Sequence, residues 1–210
     1  KNEARWIKEW IEYHRLIGVE HFFLYNNDGT DQYREILAPY IDEGLVDLIS
    51  WNSDSAPHHD SRGAAYWVGF QHSAFNDCIE RLIGVAPWVA IIDMDEFLFS
   101  VEGSTEGRTF FQDLLREVSP DVGTLNVWWR NFGTSYIWRL TPNALITESF
   151  VHRAHDQSIA NLHCKCIHRP EAISYALVHS AFLKNGYKFI EIDPLRLRIN
   201  HYYLGDRMMC

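Results

Sequence analysis

The stretch V-A-I-I-D-M-D-E-F-L-F-S, Val89 to Ser100, decides how the chain is read. Val89 to Ile92 is a short, unbroken apolar run with β-branched residues, the pattern of a strand buried on both faces of a parallel sheet. Its end releases three acids in four residues, Asp93, Asp95 and Glu96. Open α/β sheets bind ligands at the carboxyl ends of their strands, and two carboxylates one residue apart can share a hard divalent cation. A solvated strand exit, with Glu96 starting a turn, is the plainer alternative. Against it stands the apolar segment Phe97-Leu98-Phe99, because acids wedged between apolar runs lie near the core, where unpaired charge is costly.

Toward the N-terminus, Trp6, Ile7, Trp10, Ile11, His14 and Ile17 share one face of a helix over Glu3 to Ile17, ended by Gly18. A strand over Val19 to Tyr25 leads into the polar turn Asn26-Asn27-Asp28-Gly29-Thr30-Asp31. A short helix over Asp31 to Leu37, closed by Pro39, a strand over Leu45 to Trp51 and a helix over Ala65 to Ile83 follow. On the other side of the acids, Phe110 to Val118 forms a helical stripe and Val122 to Trp129 a strand. Ser135 to Leu140, Leu145 to Val151, His163 to His168, Tyr175 to Val178, Tyr187 to Ile190 and Leu197 to Tyr202 read as mostly strands. The alternation predicts one α/β domain over residues 1–210, with a mostly parallel central sheet flanked by helices and extended by antiparallel strands.

With 210 residues, 47% of them hydrophobic and 14% aromatic, the chain can fill a substantial core. A net charge of -9 disfavours a grip on a nucleic-acid backbone but not on a nucleotide diphosphate, whose charge one metal ion can offset locally. No segment is long and apolar enough to span a membrane. Cys164 and Cys166, one residue apart, lack the spacing of a structural zinc site. His58, His59 and Asp60 have the flavour of a metal cluster, but their polar surroundings read as an exposed loop.

Six stretches, in order, carry a resemblance: Lys1 to Asn27, L-A-P-Y-I-D-E-G-L-V at Leu37 to Val46, Q-H-S-A-F-N-D-C-I-E-R at Gln71 to Arg81, W-V-A-I-I-D-M-D-E-F at Trp88 to Phe97, W-W-R-N-F-G at Trp128 to Gly133, and I-N-H-Y at Ile199 to Tyr202. Together they resemble glycosyltransferase family 92 and its family-2-like relatives. The resemblance implies a GT-A fold with residues 1–100 as the nucleotide-binding half and 101–210 as the acceptor-side half. It implies inverting transfer of a hexosyl unit from a UDP-sugar to a glycan hydroxyl, with Mn2+ (or Mg2+) as cofactor. Asn2, Glu3, Asn26, Asn27, Asn76, Asp93 and Lys165 would then contact the donor, with Asn26 and Asn27 at the uridine and Lys165 at the pyrophosphate. Asp93, Asp95 and the distant His201 would form the metal site.

Inversion needs a base for the acceptor hydroxyl. Glu148 and Asp156 are the candidates, with Glu96 and His152 behind them, and Trp128, Trp129 and Phe132 could form a sugar platform. Two departures bear on specificity: Asn26 stands where relatives often carry Asp, and Tyr136-Ile137 replaces a Gly-His pair. The partners implied are a nucleotide-sugar donor and a glycan acceptor. The location implied is the Golgi lumen in a eukaryote, or the cytoplasm or cytoplasmic membrane face in a bacterium, with any membrane anchor in a longer precursor. A carbohydrate- or nucleotide-sugar-binding protein without turnover, on the same fold, is the alternative.

Overall fold

The computed structural model describes residues 2–52, 64–100 and 107–202; the His58-His59-Asp60 cluster lies outside the described residues. Helix α1 (Ala4–Leu16) buries the face that its periodicity marks, with Trp6, Ile7, Trp10, Ile11 and His14 all buried. The helix stops where Gly18 adopts a positive φ of 103°, a backbone state that favours glycine. Strand β1 (Phe22–Asn26) pairs in parallel with β2 (Val46–Ser50) across helix α2 (Tyr33–Asp42). Pro39 does not close α2 as expected but lies inside it, near its end, and its carbonyl accepts from the Glu43 N–H that caps the helix.

Helix α3 (Ala64–Leu82) leads to β3 (Val89–Ile91), and a four-residue link leads on to β4 (Glu96–Ser100). Helix α4 (Gly107–Glu117) and strand β5 (Val122–Asn131) follow, then helix α5 (Ile146–Ser149) and strands β6 (Cys164–His168), β7 (Ile173–Ala176), β8 (Ala181–Leu183), β9 (Lys188–Glu191) and β10 (Leu197–His201). The central sheet runs β3-β6-β5-β10-β4, with β9 alongside the first half of β5. Gly123 sits at the irregularity between β5 and β9, and a Cβ there would meet Ala172 Cβ at 2.6 Å, so the position needs glycine.

This sheet corrects the expected architecture. β3–β6, β5–β6 and β10–β4 are antiparallel and only β5–β9 and β5–β10 are parallel, so the mostly parallel open sheet of the GT-A expectation is not what the chain forms. The strand pair β1–β2 is a separate parallel sheet. β3 is an edge strand, half-buried along most of its length, so Val89 to Ile92 was apolar without being sandwiched on both faces. An apolar run reports burial but not the direction of a neighbour, here β6, that arrives far later in sequence order. Likewise Ser135 to Leu140 is turn rather than strand, and Leu145 to Val151 contains the short α5.

β3 and β4 stand at opposite ends of the sheet path, yet only Ile92 to Asp95 separates them. Laid flat, the two edges would be roughly 19 Å apart, at about 4.8 Å per strand step. The link cannot reach that far, because Glu96 N donates to Asp93 O at 3.1 Å and folds it into a turn. Such a turn spans under about 7 Å, and the two residues before it add about 7 Å more. The sheet must therefore curl until its two edges meet at the acids.

Two buried histidines tie the core together as neutral rings. His14 Nδ1 lies 2.8 Å from Trp10 O and its Nε2 accepts from Leu98 N–H at 3.3 Å, so one nitrogen must stay unprotonated. Burial pulls His14 and His168 each down to about 4. An unfolded chain would protonate both rings near 6.5, so stability is full above that pH and falls as pH drops toward 4. The expected loss is on the order of 3 kcal/mol per histidine. Urea unfolding between pH 7 and pH 4 should show this slope, and His168→Gln should make it shallower; an unchanged slope would contradict the assignment.

Candidate active site

The turn Asp93-Met94-Asp95-Glu96 is gripped from three sides. Trp10 on α1 donates its indole N–H to Asp93 O at 3.1 Å and to Glu96 O at 2.9 Å. Glu96 Oε2 accepts from Asp93 N–H at 2.8 Å. From β6, Lys165 donates its ammonium to Asp93 Oδ2 at 2.8 Å and stands 4.0 Å from Glu96 Oε2. Strand alternation explains that reach: Lys165 and Ile167 point one way from β6, Cys164 and Cys166 the other.

Lys165 is 1% exposed and Glu96 is 0% exposed, while the Asp93 carboxylate beside them in this ion cluster is half-exposed. Burial pushes the Glu96 carboxyl up to about 8 against the opposing pull of Lys165. Burial would lower the Lys165 ammonium, but Glu96 and Asp93 outweigh it and hold it above its ordinary value. Glu96 Oε1 is buried with no hydrogen-bond partner among the described residues. The turn-starting role considered for Glu96 in the sequence is not what it does; it opens β4 and closes the cluster.

The last residue of β10, His201, comes to the same turn. His201 pairs with Glu96 across the β10–β4 ladder and with Asn131 across β5–β10, and Tyr202 N donates to Asp95 O at 2.9 Å. Its Nε2 lies 3.4 Å from Asp95 Oδ2 and its Nδ1 2.9 Å from Asn131 Oδ1. The Asn131 amide nitrogen is committed to Ala160 O, which leaves Oδ1 to accept from the imidazole. Nδ1 then carries a proton, and Nε2 is the nitrogen that faces the Asp95 carboxylate. With the ring protonated on both nitrogens the contact is an ion pair; with Nε2 unprotonated it sets a nitrogen and an oxygen donor side by side for a cation. Ligands about 2.1 Å from one ion sit about 3 to 4 Å apart, so the pair fits a divalent cation, and the Asn131 contact is the kind of outer hydrogen bond that orients a ligating imidazole.

The structure thus brings Asp95 and His201 together and turns Asp93 to Lys165. Among the described residues no group of three His, Cys, Asp or Glu side chains gathers as a metal cluster, so the fit is to a two-residue protein contribution. The expected donor residues separate into two places. Asn2 Oδ1 accepts from Thr30 N–H at 2.8 Å, Asp31 Oδ2 from Ala4 N–H at 2.7 Å, and Asn26 Oδ1 from Gly29 N–H at 3.0 Å, so the start of α1 and the turn after β1 form one polar edge. Glu3 and Asn27 belong to the same edge by their place in the chain. Asn76 is elsewhere: its amide grips both the N–H and the carbonyl of Ala176, tying α3 to β7.

Asp156 carries an ion pair with Arg153 and another with Arg130 at 3.4 Å; the Arg153 hydrogen bond above all holds its carboxyl below the usual range. Glu148 is exposed on α5, whose first N–H groups, Ile146 and Thr147, donate to Glu9 of α1 at 2.9 and 3.0 Å. The two adjacent tryptophans separate, as neighbours on a strand must, and one of them faces the core. Trp129 packs on His201, tilted by 39° with centroids 4.1 Å apart, Phe132 packs on Tyr202 at 4.9 Å, and Trp128 points from the other face of β5. Asn131 and Trp10 are site residues that the sequence reading did not single out. The signal for Asn131 was its place in W-W-R-N-F-G; Trp10 carried none beyond its apolar spacing.

A family profile described as glycosyltransferase family 92 matches residues 1–207. A glycosyltransferase family 92 protein of Oryza sativa subsp. japonica is 32% identical over 207 residues, covering 96% of this chain and 32% of its own length. A β-1,4-galactosyltransferase of Caenorhabditis elegans is 26% identical, over 99% of this chain and 46% of its own. A galactan β-1,4-galactosyltransferase of Arabidopsis thaliana is 35% identical over 44% of this chain and 17% of its own. The chain therefore spans about a third of the length of the rice protein and under half of the nematode one. It belongs to glycosyltransferase family 92.

The buried cluster makes a stability prediction. Lys165→Met would strand Asp93 and Glu96 without their counter-ion and should cost about 3 to 5 kcal/mol. Adding Glu96→Gln to that variant should recover part of the loss in chemical denaturation. No loss in the single variant would show that Lys165 is not the internal counter-ion.

Proposed function

Taking membership of glycosyltransferase family 92 as the premise, we propose that the chain transfers a hexosyl unit, galactosyl by the names of two relatives, from a UDP-sugar to a glycan hydroxyl with inversion. The observation that carries the proposal is the Asp95–His201 pair, a carboxylate oxygen and an imidazole nitrogen 3.4 Å apart at the mouth of the acidic turn. Oxygen and nitrogen donors together suit manganese, with magnesium the harder alternative. A divalent ion held there would offset the negative charge that builds on the departing diphosphate.

The remaining roles fall to side chains. Asn131 holds the His201 ring in the tautomer that presents Nε2. Trp10 and Lys165 hold the turn so that Asp95 faces His201 and Asp93 stands beside it, half-exposed, for a donor hydroxyl. The polar edge of Asn2, Glu3, Asn26 and Asn27 is the proposed seat of the uridine. In the step itself, the acceptor oxygen bonds to the anomeric carbon as the bond to UDP breaks on the opposite face, and a carboxylate takes the hydroxyl proton. Asp156 is committed to two arginines, and Glu148, exposed on α5, is the proposed proton acceptor ahead of Glu96 and His152.

The test is UDP release from UDP-galactose with manganese and β-1,4-galactotetraose. Asp95→Asn should lower it by about a hundredfold or more while the melting temperature stays within a few degrees, since removing groups that act in the transition state costs several kcal/mol of barrier. Activity within a few-fold of the parent would remove Asp95 from the reaction.

A further inference from the structure

Strand β5 carries two adjacent tryptophans to opposite faces, and only one of them has an apolar home. Trp129 packs into the cluster formed by Leu125, Val127 and Ile199, whereas Trp128 belongs to none of the hydrophobic clusters of the described residues and is half-buried. It lines instead a cavity of about 510 Å³ together with Arg130, Asp156, Leu162, Glu191 and Asp193. Leu162 is 65% exposed at the same wall. A half-exposed indole and an isobutyl group facing a cavity ringed by hydrogen-bonding groups form the lining of a small-molecule site.

The charges narrow the occupant. Three carboxylates line the cavity against one guanidinium, which repels a phosphate or a second nucleotide. A bare cation is no better served, because Asp156 already holds Arg153 and Arg130, and Asp193 Oδ1 accepts from Leu195 N–H at 2.8 Å. Carboxylates that keep acceptor capacity, one guanidinium donor and an indole face match a neutral polyol ring, apolar on its C–H face and hydroxylated at its edge.

We propose that this cavity is a glycan subsite, holding sugar residues of the acceptor other than the one that reacts. The proposal rests on the glycosyl-transfer reading above and extends it to the far face of β5. The wall is set before any ligand arrives: the buried Asn161 accepts from Asn131 N–H at 3.0 Å and donates to His155 O at 3.0 Å. Asn131 also holds His201, so one residue links the cavity-lining Asn161 to the Asp95–His201 pair. A sugar chain long enough to pass the end of β5 can occupy both.

The experiment follows indole N–H resonances of the full chain while β-1,4-galactotetraose, or galactose alone, is added without donor or metal. The tetraose should shift the Trp128 resonance in a saturable way, and galactose should do so at least tenfold more weakly. Trp128→Ala should weaken tetraose binding tenfold or more, Trp128→Tyr should keep most of it, and Asp95→Asn should keep all of it. In transfer assays Trp128→Ala should raise KM for the tetraose about tenfold with less than a threefold change in kcat. No shift of Trp128, or loss of tetraose binding in Asp95→Asn, would overturn the subsite. Binding needs no turnover, so a chain that binds tetraose at Trp128 but releases no UDP would contradict the transfer reading and leave the cavity assigned.

Discussion

An ammonium group out of reach of water must have carboxylates against it, and Lys165 imposes that requirement on everything around it. Its Nζ draws Asp93 to 2.8 Å and Glu96 to 4.0 Å, so the acidic turn is fixed to β6 as firmly as to its own strands. Trp10 seals the other side by taking two carbonyls of the same turn. The site is therefore built around a charge compensation inside the protein, and Asp95, the acid left over, is the one that faces His201. This division of labour follows from geometry: in the turn, Asp93 and Glu96 are its two ends and close on each other, while Asp95 projects between them.

The curl of the sheet is the second consequence. A link of four residues joins strands at the two extremes of the sheet path, so Lys165 from the β3–β6 edge and His201 from the β10–β4 edge meet at one turn. Thus the antiparallel pairing that overturned the sequence expectation is also what lets two residues more than a hundred positions apart meet.

Helix α1 was legible because amphipathic periodicity is local: its five buried positions are those the spacing picks out. The acids were legible as an interruption between apolar runs. What the sequence could not convey is pairing direction, since Val89 to Ile91 reads alike beside a parallel or an antiparallel neighbour. Glu96–Ser100 passed unread as a strand because its first residue is an acid, acceptable in β4 only with Lys165 nearby. Leu145 to Val151 looked extended from its β-branched residues, but Glu9, 137 positions earlier, caps it into a helix. Lys165 did leave a trace: in C-K-C-I-H it shares the strand face of Ile167, and a lysine in register with core residues marks a buried counter-ion.

The central claim is that Asp95 and His201 hold a divalent cation beside the donor diphosphate. Pulsed electron paramagnetic resonance of Mn2+ bound with UDP reads it directly, because a ligating imidazole leaves nitrogen modulation on the manganese echo. The account predicts that modulation in the parent protein and its loss in His201→Gln. Manganese bound with UDP but showing no histidine nitrogen, or the same modulation in both proteins, would contradict it.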